Sequence, residues 1–179
     1  SCISRMERTG VVSTETAQAL GAVGMAARSS GVDIDTRFDF NDKWYTSLDV
    51  VKPFKATGDV HSRFKLRYKE IKQSMQIVKK LLDKLKEFRN EQILTNPNKT
   101  PAPNAFAISM TEGWRGEIVH IALTGANGEL LRYKMKDPSF NNWYMLAMAV
   151  RNNGVSDFPL CNKSFNLSYC GNDLSLIHI

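Results

Sequence analysis

Cys161 and Cys170, with Asp173 close behind, are the residues whose chemistry demands attention first, because thiolates are the side chains that bind soft metals. Three cysteines occur in all, Cys2 being the third, and no two stand in a C-x-x-C pair. An odd count without a spaced framework argues against structural disulfides and for a reducing compartment. His61, His120 and His178 are too scattered for a metal triad. Neither an H-E-x-x-H helix nor a Gly-rich phosphate loop is present, and no serine sits in a nucleophile elbow. Gly21-x-x-Gly24 reads as a helix stop rather than a phosphate cradle. On residue types and spacing alone, no enzyme class follows.

The composition, 42% apolar and 23% charged over 179 residues, suits one globular domain with its own core. No run of eighteen apolar residues occurs, so no spanning helix is expected. The net charge of +6 gathers between Lys52 and Arg89. Without stacking aromatics or a recognised binding module, this run reads as a solvated basic helix face and not as a nucleic-acid surface.

Several elements are legible. Ser13 or Thr14 caps a short helix that opens with Glu15. A polar, turn-rich stretch from Arg28 to Asp59 reads as a long ordered loop. Asp59 is placed to cap a helix of about thirty residues, about 45 Å long. Its apolar stripe would be Val60, Phe64, Tyr68, Ile71, Met75, Val78, Leu82, Leu85 and Phe88. Arg63, Arg67, Glu70 and Ser74 share another face, for surface ion pairs or a buried polar contact. After a Pro and Asn break come two β-rich runs around Gly125-Ala126-Asn127-Gly128, a hairpin ended by Asp137-Pro138. A short amphipathic helix follows, with Phe140, Trp143, Leu146, Ala147 and Val150 on its core face and Asn153-Gly154 closing it. The expectation is an α+β fold, mainly helical, with one long helix and a β-hairpin subdomain.

Five segments, in order, carry a resemblance. "EGWRGEIVHIAL" resembles the E-A-P-R-G-E-x-x-H segment of nickel-iron hydrogenase large subunits and of the hydrogenase-like large subunit of respiratory complex I. "GMAARSSGVDIDTR" is similar to the family's G-P-x-x-R-A-S-G-x-x-x-D-x-R, and "GDVHSRFKLRYKEIKQS" to its G-D-x-x-x-R-x-x-V-R-x-x-E-x-x-Q-S. "LRYKMKDPSFNNW" resembles its R-x-K-x-R-x-P-S-F-x-N, and the cysteine-bearing tail occupies the place of its D-P-C-x-x-C. These matches run from Arg8 to Asp173, and the closest branch is the energy-converting, membrane-bound one. The matching polar residues are Arg28, Asp35, Arg37, Asp59, Arg63, Arg67, Glu70, Glu117 and His120.

The resemblance implies a hydrogenase-large-subunit-like fold, residues 1–173 being the C-terminal part of one such domain cut at both ends. Residues 174–179, LSLIHI, resemble a translated sequencing adapter, which removes His178 from consideration. In the hydrogenases the tail thiolates hold nickel and bridge to iron. Here Asn166 stands in place of the Asp, Leu167 of the Pro, Ser168 of the first Cys and Gly171 of the second, with Cys170 one place away. A serine hydroxyl stays protonated near neutral pH and glycine has no side chain, so the expectation is a metal site lost and a vestigial pocket. Arg115 and Trp114 would line that pocket beside Asn166, Ser168 and Cys170, with Trp114 against the tail filling the vacated space. Glu117 and His120 would fix the hairpin by hydrogen bonds, the alternative being proton transfer.

The implied context is a complex I-like or energy-converting-hydrogenase-related assembly on the cytoplasmic side of a prokaryotic membrane. There the subunit would pack on an iron-sulfur small subunit and on membrane-arm subunits. Electrons would pass from NADH or another donor toward quinone or a related acceptor, with no cofactor bound by residues 1–179 themselves. Two alternatives stand beside this: a working nickel-iron hydrogenase with an atypical tail, and a coupling module that touches no electrons.

Overall fold

A computed structural model describes residues 2–40, 45, 47–48, 50–88 and 100–169. Cys170, Gly171, Asp173 and the 174–179 terminus lie outside them.

Four short helices open the chain: α1 (Cys2–Met6), α2 (Thr14–Ala19), α3 (Gly24–Ser29) and α4 (Thr36–Asp39). Ser13 caps α2 by accepting from the Thr16 N–H at 3.2 Å. The stretch expected as loop from Arg28 onward is in part helical, since Arg28 and Ser29 close α3 and Asp35 caps α4. Gly24 does not break a helix; it opens α3 at φ +65°. A Cβ there would lie 2.2 Å from Gly116 Cα, so only glycine lets α3 approach the sheet this closely.

The long helix α5 spans Val60–Leu85, 26 residues, and a 3-10 turn, Lys86–Phe88, continues it. Asp59 caps it as expected, accepting from Ser62 N–H at 2.7 Å and also from Arg8 N–H at 3.1 Å. Its orientation differs from the periodicity reading. Val60, Ser62, Arg63, Leu66 and Glu70 face inward. Phe64, Tyr68, Ile71, Met75, Val78, Leu82 and Leu85 are exposed. The charged face is held by partners on other elements, Arg28 of α3 for Glu70 and Ser164 for Arg63, and those bonds decide which side is inside.

Three strands, not two, form an antiparallel sheet in the order β1-β2-β3: β1 (Phe106–Gly113), β2 (Gly116–Thr124) and β3 (Leu130–Lys136). Gly113 pairs with Gly116, so Trp114-Arg115 are the two residues of a tight hairpin turn. The expected second hairpin is present, with a register shift at Leu123/Thr124.

Helix α6 spans Ser139–Ala149, and a 3-10 turn at Val155–Asp157 leads into α7, Phe158–Phe165. The inward face of α6 is Ser139, Asn142, Met145, Leu146 and Ala149, while Phe140 is exposed. Of the expected core stripe, Leu146 is buried and Trp143 and Val150 pack against the core, while Phe140 and Ala147 face out; Asn142 is drawn in beside them to bond the Val23 backbone through both its oxygen and its nitrogen. The C-cap of α6 is Val150, and Asn153 caps it from beyond as expected, its Nδ2 donating to Ala149 O at 2.9 Å and Arg151 O at 2.8 Å while its Oδ1 accepts from Gly10 N–H. The core joins Val12, Ala17, Ala26, Ala27 and Val60 to Met145, Leu146, Ala149, Cys161 and Phe165.

Candidate functional site: a buried charge network beside a clamped tail

Two constellations meet at the Trp114-Arg115 turn. The first centres on Arg28, which is 1% exposed. Its Nη1 donates to Glu112 Oε1 at 2.8 Å and to the Ile34 carbonyl at 3.0 Å; its Nη2 donates to Glu70 Oε1 at 2.6 Å. Asp35 stands 3.2 Å from Nη1 and takes a two-pronged bond from Arg37 at 2.9 and 2.6 Å. Thr36 donates its N–H and hydroxyl to the other oxygen of Glu112. The helix α3, the α4 cap, α5 and β1 are thus riveted by one guanidinium.

Burial opposes the Arg28 charge, yet Glu70, Glu112 and Asp35 together raise its pKa above the ordinary arginine value. Burial likewise pushes Asp35 up, and the bonds from Arg37 with the charge of Arg28 outweigh it, holding the carboxyl below its usual range. A cleft of about 250 Å³ opens over this network, lined by Arg28, Arg37, Glu70, Ser74, Glu112 and Trp114 among others.

The second constellation holds the chain's last described residues. Arg67 donates to the carbonyls of Ser164 at 2.8 Å and Phe165 at 3.3 Å, and Arg115 Nε donates to that of Asn166. Two guanidinium groups therefore cap the C-terminus of α7, where orphan carbonyls and the helix dipole favour cations. Asn166 ends the helix in the left-handed region at φ 52°. Ser168 donates its N–H to Ser139 Oγ at 3.0 Å. Arg63, wholly buried, donates to Ser164 Oγ, Gly58 O and Gly10 O and lies 4.2 Å over the Phe165 ring. Burial depresses its pKa to about 10.

The structure brings Arg28, Asp35, Arg37 and Glu70 together as one set and Arg63, Arg67, Arg115, Asn166 and Ser168 as another. Trp114 belongs to the first by lining its cleft, and it reaches the second through Arg67, whose guanidinium lies 5.6 Å over its ring. Trp114 stays 43% exposed, so it borders the cleft instead of filling a void against the tail. Glu117 and His120 belong to neither: Glu117 accepts from Lys136 Nζ at 3.0 Å, and His120 Nδ1 meets the Tyr133 hydroxyl, both across β2 and β3. Asp59 acts as the α5 cap.

Glu112 is the central residue that sequence reasoning passed over, although it opens the EGWRGE segment. Its partners Arg28 and Thr36 lie 84 and 76 residues away, beyond any local pattern.

A soft metal would require thiolates here, and among the described residues no group of three His, Cys, Asp or Glu side chains could hold one; Cys170 lies outside them. Ser168 offers a hydroxyl. Cys161 is fully buried on α7, its sulfur 2.7 Å from where a Cβ on Gly10 would sit, and burial pushes its thiol pKa up.

Comparison with known proteins agrees with this architecture. The chain is 32% identical over 178 residues to the membrane-bound hydrogenase subunit alpha of Pyrococcus furiosus, covering 91% of this chain and 41% of that one. An NADH-quinone oxidoreductase component of Syntrophobacter fumaroxidans is 27% identical over 157 residues, covering 87% and 41%. Hydrogenase-4 component G of Escherichia coli is 30% identical over 168 residues, covering 89% and 30%. A chain in the structure of the membrane-bound sulfane sulfur reductase, an archaeal respiratory membrane complex, shares the fold with a TM-score of 0.77 at 23% identity, over 96% of this chain and 47% of that one. The chain thus spans less than half the length of these relatives. The family described as "Respiratory-chain NADH dehydrogenase, 49 Kd subunit" matches residues 1–105, and the chain belongs to that family.

Proposed function

We propose that this chain is part of a large-subunit-like component of a complex I-like or energy-converting-hydrogenase-related membrane redox complex that has lost its nickel-iron site. The observation that carries the reading is the tail. Arg67 and Arg115 occupy its backbone carbonyls, Ser168 is tied to Ser139, and no described residue of the tail supplies a thiolate. A scaffold that keeps the arginines and lacks the sulfur ligands retains the means to position the tail next to a redox partner, without the means to hold nickel.

In this reading the subunit packs on an iron-sulfur small subunit and on membrane-arm subunits at the cytoplasmic side of the membrane. Electrons pass from NADH or another donor toward quinone or a related acceptor. The relatives' names support the setting, since they include NADH-quinone oxidoreductase components and a membrane-bound hydrogenase subunit. No described helix is long and apolar enough to cross a membrane, consistent with attachment through partners.

The test is affinity purification of the subunit, at the length of its relatives, from native membranes under mild detergent. Co-purification of an iron-sulfur protein and integral membrane subunits, with donor-dependent reduction of a short-chain quinone, is the expected result. Hydrogen evolution from the same preparation that disappears in Cys170→Ala would instead select the hydrogenase alternative.

A further inference from the structure

The charge network and the tail clamp meet at a second place, on α5 itself. Arg67 and Glu70 stand three residues apart, the spacing at which side chains of one helix are neighbours. Glu70 belongs to the network: it is buried, and its Oε1 accepts from Arg28 Nη2 at 2.6 Å. Arg67 belongs to the clamp, and every group it bonds is neutral. Its partners are the carbonyls of Ser164 and Phe165, with the Trp114 ring beneath its guanidinium.

The clamp is crowded with positive charge. Arg63 on Ser164 Oγ and Arg115 on the Asn166 carbonyl hold the same helix end as Arg67, and both repel it. Asp59 answers the charge of Arg63. Burial holds the Arg67 cation below the ordinary arginine range and Arg115 adds to that; among the described residues, the carboxylate that opposes them is Glu70.

Glu112 supplies the contrast. It pairs with the same guanidinium as Glu70, accepting from Arg28 Nη1 at 2.8 Å, but Thr36 takes its other oxygen. No bond or ion pair among the described residues joins it to Arg67 or Arg115. Two carboxylates thus serve Arg28 alike, and one of them also serves the clamp.

We infer that Glu70 is a positioning residue shared by the cleft and the tail, its carboxylate keeping Arg67 on the last carbonyls of α7. Because Glu70 also lines the cleft, an occupant that engages its carboxylate loosens the tail without touching it. The inference concerns where the tail is held and stands whatever the tail meets, with or without a metal.

Hydrogen exchange read by mass spectrometry tests it, on the polypeptide at the length of its relatives and within its complex. The amides to follow are Asn166, which donates to Asn162 O, and Ser168, which donates to Ser139 Oγ. Glu70→Gln should speed their exchange at least about fivefold, whereas Glu112→Gln should leave it within about twofold. In an Arg67→Gln background, Glu70→Gln should add less than about twofold, since both changes act on one contact. Equal exchange in Glu70→Gln and Glu112→Gln would overturn the inference, and so would a full Glu70→Gln effect once Arg67 is gone. Where Glu70→Gln does not assemble, Glu70→Asp and Glu112→Asp carry the same contrast, at about threefold against no change.

Discussion

The two faces of α5 invert the usual arrangement of an amphipathic helix. Its inner face carries Arg63, Glu70 and the half-buried Arg67, each bonded to a distant element, while its outer face carries seven exposed apolar side chains. The difference teaches that apolar periodicity locates a helix but does not orient it. Orientation here follows from charges that are too costly to bury unpaired and too well paired to leave.

The inner face should be the sensitive one. Arg28→Ala leaves Glu70 and Glu112 buried without their guanidinium, while Asp35 keeps Arg37 and Glu112 keeps Thr36, and we expect a loss of about 3–5 kcal/mol in chemical unfolding of the chain, a large part of a domain's stability. Arg28→Lys, keeping charge but not the fork, should recover only part of it. A loss below about 1 kcal/mol for Arg28→Ala would mean that the network is ornamental.

Arg67→Ala removes two carbonyl bonds and the contact over Trp114. A loss of about 1–2 kcal/mol is expected, with a shift in Trp fluorescence and faster hydrogen exchange at the end of α7. Unchanged exchange there would separate Arg67 from the tail.

Acid should act on the same face. The folded-state pKa of Asp35 is depressed, so its contribution is fully present above the unfolded value of about 3.9 and is lost as pH falls below it through the folded pKa. Unfolding curves from pH 6 down to 2 should show stability falling below about pH 4, and Asp35→Asn should flatten that limb.

The smallest effect belongs to the outer face. Met75→Ser in the 179-residue chain should change stability by no more than about 0.5 kcal/mol, since Met75 is 69% exposed. A cost comparable to that of Arg67→Ala would erase the contrast between faces.

Much of the frame was legible from local chemistry. Asp59 announced the start of α5, Ser13 that of α2, and Gly125 to Gly128 the second hairpin, because caps and turns depend on neighbours in sequence. The alternation of Phe106, Ile108 and Met110 carried a strand signal that the Pro and Asn break beside it obscured. The inward turn of Asn142 was illegible, since its partner Val23 lies 119 residues away. Resemblance named Arg28, Asp35, Arg37 and Glu70 as matching polar residues and set Arg115 with Trp114 at the tail, but that Trp114 lines the cleft while Arg115 clamps the tail depends on the two-residue turn they form, a fact of three dimensions.

In the proposed function the scaffold keeps its arginines and has lost its sulfur ligands, so metal content is the most direct measurement. Elemental analysis of the purified complex, with the subunit at the length of its relatives, should find nickel at background, below about 0.1 per polypeptide. Roughly one nickel per polypeptide, lost on Cys170→Ala, would contradict it.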